Sequence, residues 1–198
     1  MTVAERVAAY NGSTFGQRWP ASRLWVVQEQ GRDVMYGVWV IGAFFRNLTP
    51  FHGAYPRSYL DRVGALFADA RDVLHACSGS LPPGPYTRLD LHPDRGADVV
   101  GDVCHAPELL GDRRFDLEYV DPPYSADDAR IYGTPPFNRQ RAIEALAFVT
   151  RSGGHAVWLD DRWPVHNRRQ WGTIGRIFIV RSTNHRFRGI TIFQREAW

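Results

Sequence analysis

Apolar and polar positions along this chain fall into two periods. Leu24 to Gln28 and Val34 to Ile41 are short runs rich in Val, Trp and Tyr, separated by Glu29-Gln30-Gly31-Arg32-Asp33. Two such runs around a polar, glycine-containing link predict a short antiparallel pair. From Ser58, after the break at Pro56, Leu60, Val63, Leu66 and Phe67 recur at helical spacing and predict a helix ending near Asp69. Short apolar runs then alternate with turns at Val73–Ala76, Tyr86–Leu91, Val99–Val103 and Phe115–Val120. Ile143, Leu146, Ala147 and Val149 predict a second helix over 138–150, with Gly153-Gly154 as its stop. Strands at His155–Leu159, Arg176–Val180 and Gly189–Gln194 follow. Seven strands with interspersed helices over 54–198 predict an α/β domain with a mostly parallel sheet, and residues 1–53 read as a small β-rich extension before it.

Composition fits that outline. The 198 residues are 44% hydrophobic and 23% charged, which suits one globular domain and excludes a disordered chain. The longest apolar stretch, Val34 to Phe45, is interrupted by Gly37 and Gly42 and falls short of the roughly 20 residues a bilayer span needs. Glu5 and Arg6 stand where a signal peptide would carry its apolar core, and Cys77 and Cys104 are too few for a disulfide framework. These features point to a cytoplasmic protein with no membrane partner. They also leave no zinc-type ligand pair, so no metal is expected. Charge adds a sharper clue. All 24 basic residues are arginine; residues 162–198 carry eight of them against one acid, Glu196, whereas residues 1–161 carry sixteen against twenty acids. A basic end on a chain of pI about 9.1 is a footprint of polyanion binding.

The stretch Phe115-Asp116-Leu117-Glu118-Tyr119-Val120-Asp121-Pro122-Pro123-Tyr124 carries the chemistry. A strand runs straight into a carboxylate, two prolines and an aromatic, at the carboxyl end of a sheet strand, where open α/β sheets bind ligands. The prolines hold a rigid turn that offers carbonyl acceptors and no competing N–H donor. Asp121 adds an acceptor beside the Pro122 carbonyl. The pair suits the two N–H donors of a substrate amine, and Tyr124 suits stacking on an extruded base.

With these residues in place, the sequence resembles the class I S-adenosylmethionine-dependent methyltransferases. Within them it resembles the DPPY group, best known as adenine-specific DNA methyltransferases. The likeness covers residues 54 to 196. Val73-Leu74-His75-Ala76-Cys77-Ser78-Gly79-Ser80 stands where that family has its first strand and glycine loop, and Asp121, Pro122, Pro123 and Tyr124 match its catalytic motif. Asp90 in Leu89-Asp90-Leu91-His92-Pro93 is similar to the acid that bonds the donor's ribose, and Asp102 in Val100-Gly101-Asp102-Val103 to the acid facing its adenine. The resemblance implies a Rossmann-like class I methyltransferase sheet of seven strands with the last one antiparallel. It implies S-adenosylmethionine as cofactor, bound at Ser78, Gly79, Asp90 and Asp102, with Tyr55 and Pro56 near its methionine end. It further implies methyl transfer to the exocyclic amine of adenine in DNA. A guanine or adenine amine in RNA is the alternative substrate, and a catalytically silent nucleic-acid-binding module with this fold is the alternative function.

Several residues depart from the family pattern. His75 and Cys77 replace an acid and an aromatic, and only Ser80 to Pro85 separates Gly79 from Tyr86. A parallel crossover normally needs a dozen residues or more, so the helix after the first strand is expected to be missing. Glu118 falls inside a strand buried on both faces and needs a partner. In this fold the segments 160–170 and 181–188 are expected beside the catalytic turn. That expectation puts Arg168, Arg169, Arg181, Asn184, His185, Arg186 and Arg188 around a nucleic-acid substrate, DNA more readily than RNA, with Trp163, Trp171 and Phe187 as stacking candidates. Residues 125–138 read as a polar loop able to close over the base, with Tyr132 and Gly133 near the pocket. No large target-recognition segment is evident, so modest sequence specificity, a single-stranded or already distorted target, or a protein partner that supplies recognition is a further expectation.

Overall fold

A computed structural model describes residues 1–41, 54–56, 58–181 and 187–197. A nine-stranded sheet runs in the order β1-β2-β8-β9-β7-β6-β3-β4-β5. Its strands are β1 (Leu24–Glu29), β2 (Arg32–Ile41), β3 (Val73–Ala76), β4 (Thr87–Asp90), β5 (Val99–Val100), β6 (Phe115–Val120), β7 (Thr150–Asp160), β8 (Trp171–Arg181) and β9 (Arg188–Arg195). Strands β3, β4, β5, β6 and β7 are mutually parallel where they pair, and β9 is antiparallel to both β7 and β8. The seven expected strands are present, with the last antiparallel. The sheet nevertheless has nine, because β1 and β2 form the expected antiparallel pair and β2 then joins β8 in parallel, from Met35 against Gly175 to Ile41 against Arg181.

The lead-in is not all strand. It opens with α1 (Val3–Gly12) and α2 (Thr14–Arg18). Thr2 caps α1 through a reciprocal pair of bonds with Glu5, the S/T-x-x-E capping box. The remaining helices are α3 (Tyr59–Leu66), α4 (Ala106–Leu110), α5 (Ala126–Tyr132) and α6 (Arg139–Val149). Strand alternation sends one set of side chains to each face of the sheet. On one face α1 and α3 pack on Met35, Trp39, Ile177, Ile179, Ile190 and Ile192, with Tyr10 stacked on Trp39 at 5.6 Å. On the other, α4 and α6 pack on Leu74, Leu89, Val120, Ala156, Trp158 and Phe193.

The structure departs from the sequence expectations at several points. The helix from Ser58 stops at Leu66, since the Phe67 N–H closes back on Val63. Gly153-Gly154 is not a helix stop: α6 ends at Val149 and both glycines lie inside β7, where Gly153 has φ +76° beside a register shift opposite Phe115 and Leu117. Of the expected strand Val99–Val103 only Val99–Val100 pairs, and Val103–His105 is a 3-10 turn capped by Asp102. Residues 125–138 are not all loop, since α5 occupies half of them, capped by Ser125 and ended by Gly133 at φ +70°. Between β3 and β4 there is no helix, as the short spacing requires. Glu118 is fully buried, and its charged form is disfavoured by that burial. Its carboxyl lies well above the usual range, with Thr150 and the Arg195 guanidinium as the groups that pull it down.

Candidate active site

Four strand ends meet at the carboxyl edge of the sheet. Strand β6 delivers Asp121-Pro122-Pro123-Tyr124, β3 delivers Cys77-Ser78-Gly79, β4 delivers Asp90, and the turn after β5 delivers Asp102. Burial raises the Cys77 thiol well above its usual range and the Asp90, Asp121 and Asp102 charges add to that, so the three carboxylates lie near this residue. Cys77 sits in the left-handed region at φ +59° and Gly79 at +55°. This sharp reversal lets the chain leave β3 without a helix, and the strain falls on Cys77, the residue with a Cβ.

Asp121 is half-buried and accepts a 2.5 Å hydrogen bond from the Tyr124 hydroxyl. Burial pushes its carboxyl up to about 6, against the pull of Arg188 and of the Tyr124 bond. The Arg188 guanidinium covers the Tyr124 ring at 4.7 Å, so one face of that aromatic carries a cation. Arg139, at the start of α6, grips the same turn. It pairs with the buried Asp160 at 2.7 and 3.1 Å and donates to the Pro123 and Tyr124 carbonyls at 3.1 and 2.7 Å. Arg162 adds a bond to the Tyr124 carbonyl at 3.2 Å. None of these bonds uses the Pro122 carbonyl. Sequence reasoning passed over Arg139 and Asp160; the one local sign was a carboxylate ending a strand otherwise made of apolar residues.

The acids near β3 and β4 are held by backbone. Asp90 accepts from the Gly79 N–H at 2.8 Å and from the His92 N–H at 3.0 Å, one on each oxygen. Asp102 accepts from the Cys104 N–H at 2.9 Å. The Ser78 N–H goes to the Leu89 carbonyl at 3.2 Å. The backbone N–H groups of Ser78 and Gly79, expected beside the cofactor, are thus both bonded within the protein. Among the described residues, the buried Ser78 Oγ and His92 Nε2 have no hydrogen-bond partner. Beneath them lies an aromatic floor: Tyr55 bonds His75 Nδ1 at 3.2 Å and stacks on Tyr59, while His75 stacks on Tyr119 at 4.4 Å. Burial lowers His75 to about 4, so its ring is neutral. Pro56 is buried beside Tyr55. On the far rim, the Asp121 charge helps to raise the Tyr132 hydroxyl, second to burial, and Gly133 faces the His92 ring.

The basic tail divides. Arg188 and Arg162 reach the Asp121–Tyr124 turn. Arg168 and Arg169 do not: residues 161–170 run down the sheet face from the end of β7 to the start of β8, where Trp171 pairs with Arg195, and leave both arginines exposed toward the opposite edge. The expectation that this whole segment borders the turn fails, because the connection is an extended strap rather than a loop confined to one edge. Trp171 is core, 1% exposed and donating to the Ile143 carbonyl at 3.0 Å, so it is no stacking surface. Trp163 and Phe187 are exposed. The Arg181 side chain and residues Asn184, His185 and Arg186 lie outside the described residues.

No protein-family model matches the sequence, and no curated protein matches it either. Among solved structures the chain resembles TrmN from Thermus thermophilus, with TM-score 0.53 and 14% identity over 72% of this chain and 50% of that one. It therefore spans half the length of the TrmN chain. Similarity also extends to the putative methyltransferase yhhF from Escherichia coli, with TM-score 0.45 and 14% identity over 87% of this chain and 98% of that one. For the N-methyltransferase NodS from Bradyrhizobium japonicum WM9 the TM-score is 0.44 and the identity 13%, over 65% of this chain and 87% of that one. With the strand order, the likeness to TrmN supports the architecture: the chain has a Rossmann-like α/β fold, extended by two strands.

Proposed function

We propose that this chain transfers a methyl group from S-adenosylmethionine to the exocyclic amine of an adenine in DNA. The observation that carries the reading is the turn Asp121-Pro122-Pro123-Tyr124 at the carboxyl end of β6. There a recessed carboxylate lies next to a prolyl carbonyl, and Arg139 restrains the two carbonyls that follow. The residues present fit the cofactor. Three carboxylates near Cys77 favour a ligand with a positive centre, and Ser78 Oγ and His92 Nε2 offer two polar atoms without a protein partner among the described residues. Asp90 and Asp102 would hold its ribose and adenine with lone pairs left over from their backbone bonds, and Tyr55 would bound its methionine end. When bound, S-adenosylmethionine supplies an electrophilic methyl group.

The protein's part follows from the donors and acceptors. The amine donates one N–H to Asp121 and the other to the Pro122 carbonyl, which turns its lone pair away from the ring and out of conjugation. Asp121 then takes the proton that the nitrogen sheds as its bond to carbon forms. Tyr124 stacks on the base, with its ring held by Arg188 and its hydroxyl on Asp121. The arginines at 162 and 188 supply positive charge where a phosphate backbone would pass.

The test is nucleoside mass spectrometry after reaction with isotopically labelled S-adenosylmethionine. Single-stranded DNA, duplex DNA and structured RNA are supplied together, with Asp121→Ala alongside. Labelled N6-methyladenine in DNA that disappears in the variant is the expected result. Label confined to RNA would replace the substrate. No label anywhere, with no donor binding by calorimetry, would overturn the reading in favour of a silent binding module.

A further inference from the structure

Residues 161–170 connect two parallel strands, β7 and β8, without a helix. A crossover helix would fill the space above this half of the sheet; an extended strap leaves it partly empty. The result is a cavity of about 370 Å³ between the strap and the sheet, lined by Trp163, Pro164 and His166 from the strap and by Thr173, Arg176 and Thr191 from β8 and β9. Its chemistry is specific. Trp163 is 44% exposed, rests on the Gly189 backbone and meets Phe178 edge to face at 5.5 Å. A Cβ on Gly189 would come within 3.1 Å of that indole, so the glycine is what lets the ring approach the strand this closely. Thr191 is 4% exposed, and its hydroxyl has no partner among the described residues although it lines the cavity. Buried hydroxyls are nearly always bonded, so one without a protein partner on a residue that lines a cavity can take a bond from a bound ligand. Arg176 contributes a guanidinium near the Trp163 ring, and its bonds to Glu29 and Tyr36 both leave from Nη1. Burial holds the His166 imidazole below its usual range, and the ring packs on Phe193.

An aromatic face, a cation and an unpaired hydroxyl in a space of this size match an unpaired nucleobase. Two residues beside the cavity's Trp163 contacts reach the Asp121–Tyr124 turn. Arg162, next to Trp163, bonds the Tyr124 carbonyl, and Arg188, next to Gly189, covers the Tyr124 ring. We propose that this cavity holds a base flanking the methylated one, stacked on Trp163 and hydrogen-bonded to Thr191. Target choice would then be built into this chain. The inference rests on the nucleic-acid reading above and adds to it a pocket for one unpaired base beside the target, which among the expected targets favours a single-stranded or distorted one.

The experiment is a cycle between protein and strand. The probe is an 11-nucleotide pyrimidine strand with a single adenine, and an abasic site is moved through the positions on either side. Affinity is read by fluorescence anisotropy, and circular dichroism checks that each variant is folded. With the wild-type protein, one abasic position weakens binding about tenfold, in line with the loss of one stacked base. Trp163→Ala binds the intact strand about tenfold more weakly and loses nothing more at that abasic position. Thr191→Val, which keeps shape and loses the hydroxyl, also weakens the intact strand and leaves the ring in place. If Trp163→Ala binds the intact strand as wild type does, or if the two losses add, the pocket does not hold a base while the methyl-transfer reading stands. If the wild-type protein neither binds nor labels any strand, both fall.

Discussion

Burial raises the Asp121 carboxyl to about 6, whereas an aspartate in an unfolded chain titrates near 4. The folded protein thus holds this proton more tightly. The stabilising contribution is full below about pH 4 and lost as pH rises through about 6. At neutral pH the group is a charge kept in an unfavourable place. Asp121→Asn should therefore stabilise the protein by about 1–2 kcal/mol at pH 7.5, allowing for its half-burial, and by almost nothing at pH 4. Urea denaturation at the two pH values checks this; an equal effect at both would show that the carboxylate is not strained. Activity runs the other way, because the amide turns a donor toward the substrate amine, and methyl transfer should fall at least a hundredfold. In the wild-type protein the proposed methyl transfer should speed up with pH through about 6 as Asp121 ionises. Tyr124→Phe removes the hydroxyl bond that favours the carboxylate, so the same rise should move to higher pH with the stacking surface intact. A pH–rate profile that does not move would disconnect Tyr124 from Asp121.

The Asp121–Tyr124 turn is held by α6 through Arg139, and Arg139 is in turn held by its ion pair with Asp160 at the end of β7. The Asp160 side chain is 0% exposed and Arg139 18%, and Trp158 Nε1 and the Asp161 N–H complete the carboxylate's bonding. Removing one member of a buried pair strands the other. Arg139→Leu should cost about 3 kcal/mol of stability, and adding Asp160→Asn should recover about half, since the amide oxygen still accepts from Trp158 without a charge. Denaturant titration of the single and double variants decides; a further loss in the double variant would mean that the pair is not what strains the single. This clamp was invisible in the sequence, where Arg139 is one arginine among 24 at the start of an ordinary amphipathic helix and its partner lies 21 positions away. By contrast, β6 was legible residue for residue, because its apolar run and the Asp-Pro-Pro stop are adjacent. Gly153-Gly154 misled for a physical reason: a glycine that ends a helix and one that makes a bulge look alike, and the pairing of Thr150 with Phe115 across the sheet decides between them. The helix α1 was signalled by Thr2 and Glu5 and was overlooked. The strap from 161 to 170 carried no local signal, since its course is set by where β8 finds its neighbours.

The two added strands change how the molecule holds together. Strand β8 would be the sheet edge of a seven-stranded fold, with the inner face of β8 and β9 formed by Ile177, Ile179, Ile190 and Ile192. Here β2 covers that edge with seven paired positions, and its Met35, Trp39 and Ile41 enter the same core as those isoleucines. Helix α1 ties the arrangement to the rest of the fold by charge as well as by apolar contact. Arg6 donates to the Leu66 carbonyl at 3.0 Å and to Asp69 at 2.6 and 3.0 Å, and Arg62 of α3 donates to the Tyr10 hydroxyl at 2.8 Å. A chain cut to residues 54–198 would expose Ile177, Ile179, Ile190 and Ile192, leave Arg62 and Asp69 without these partners, and open β8 as an unpaired edge, which favours association between chains. The truncated chain should accordingly fail to give a cooperative thermal transition and should aggregate at concentrations where the full chain stays monodisperse. Light scattering and calorimetry on the two chains measure both effects. A truncated chain that melts cooperatively within a few degrees of the full one would make residues 1–53 an accessory to an independent domain, whereas failure to fold would make the β1–β2 pair and α1 part of the same cooperative unit that holds Asp121 in position.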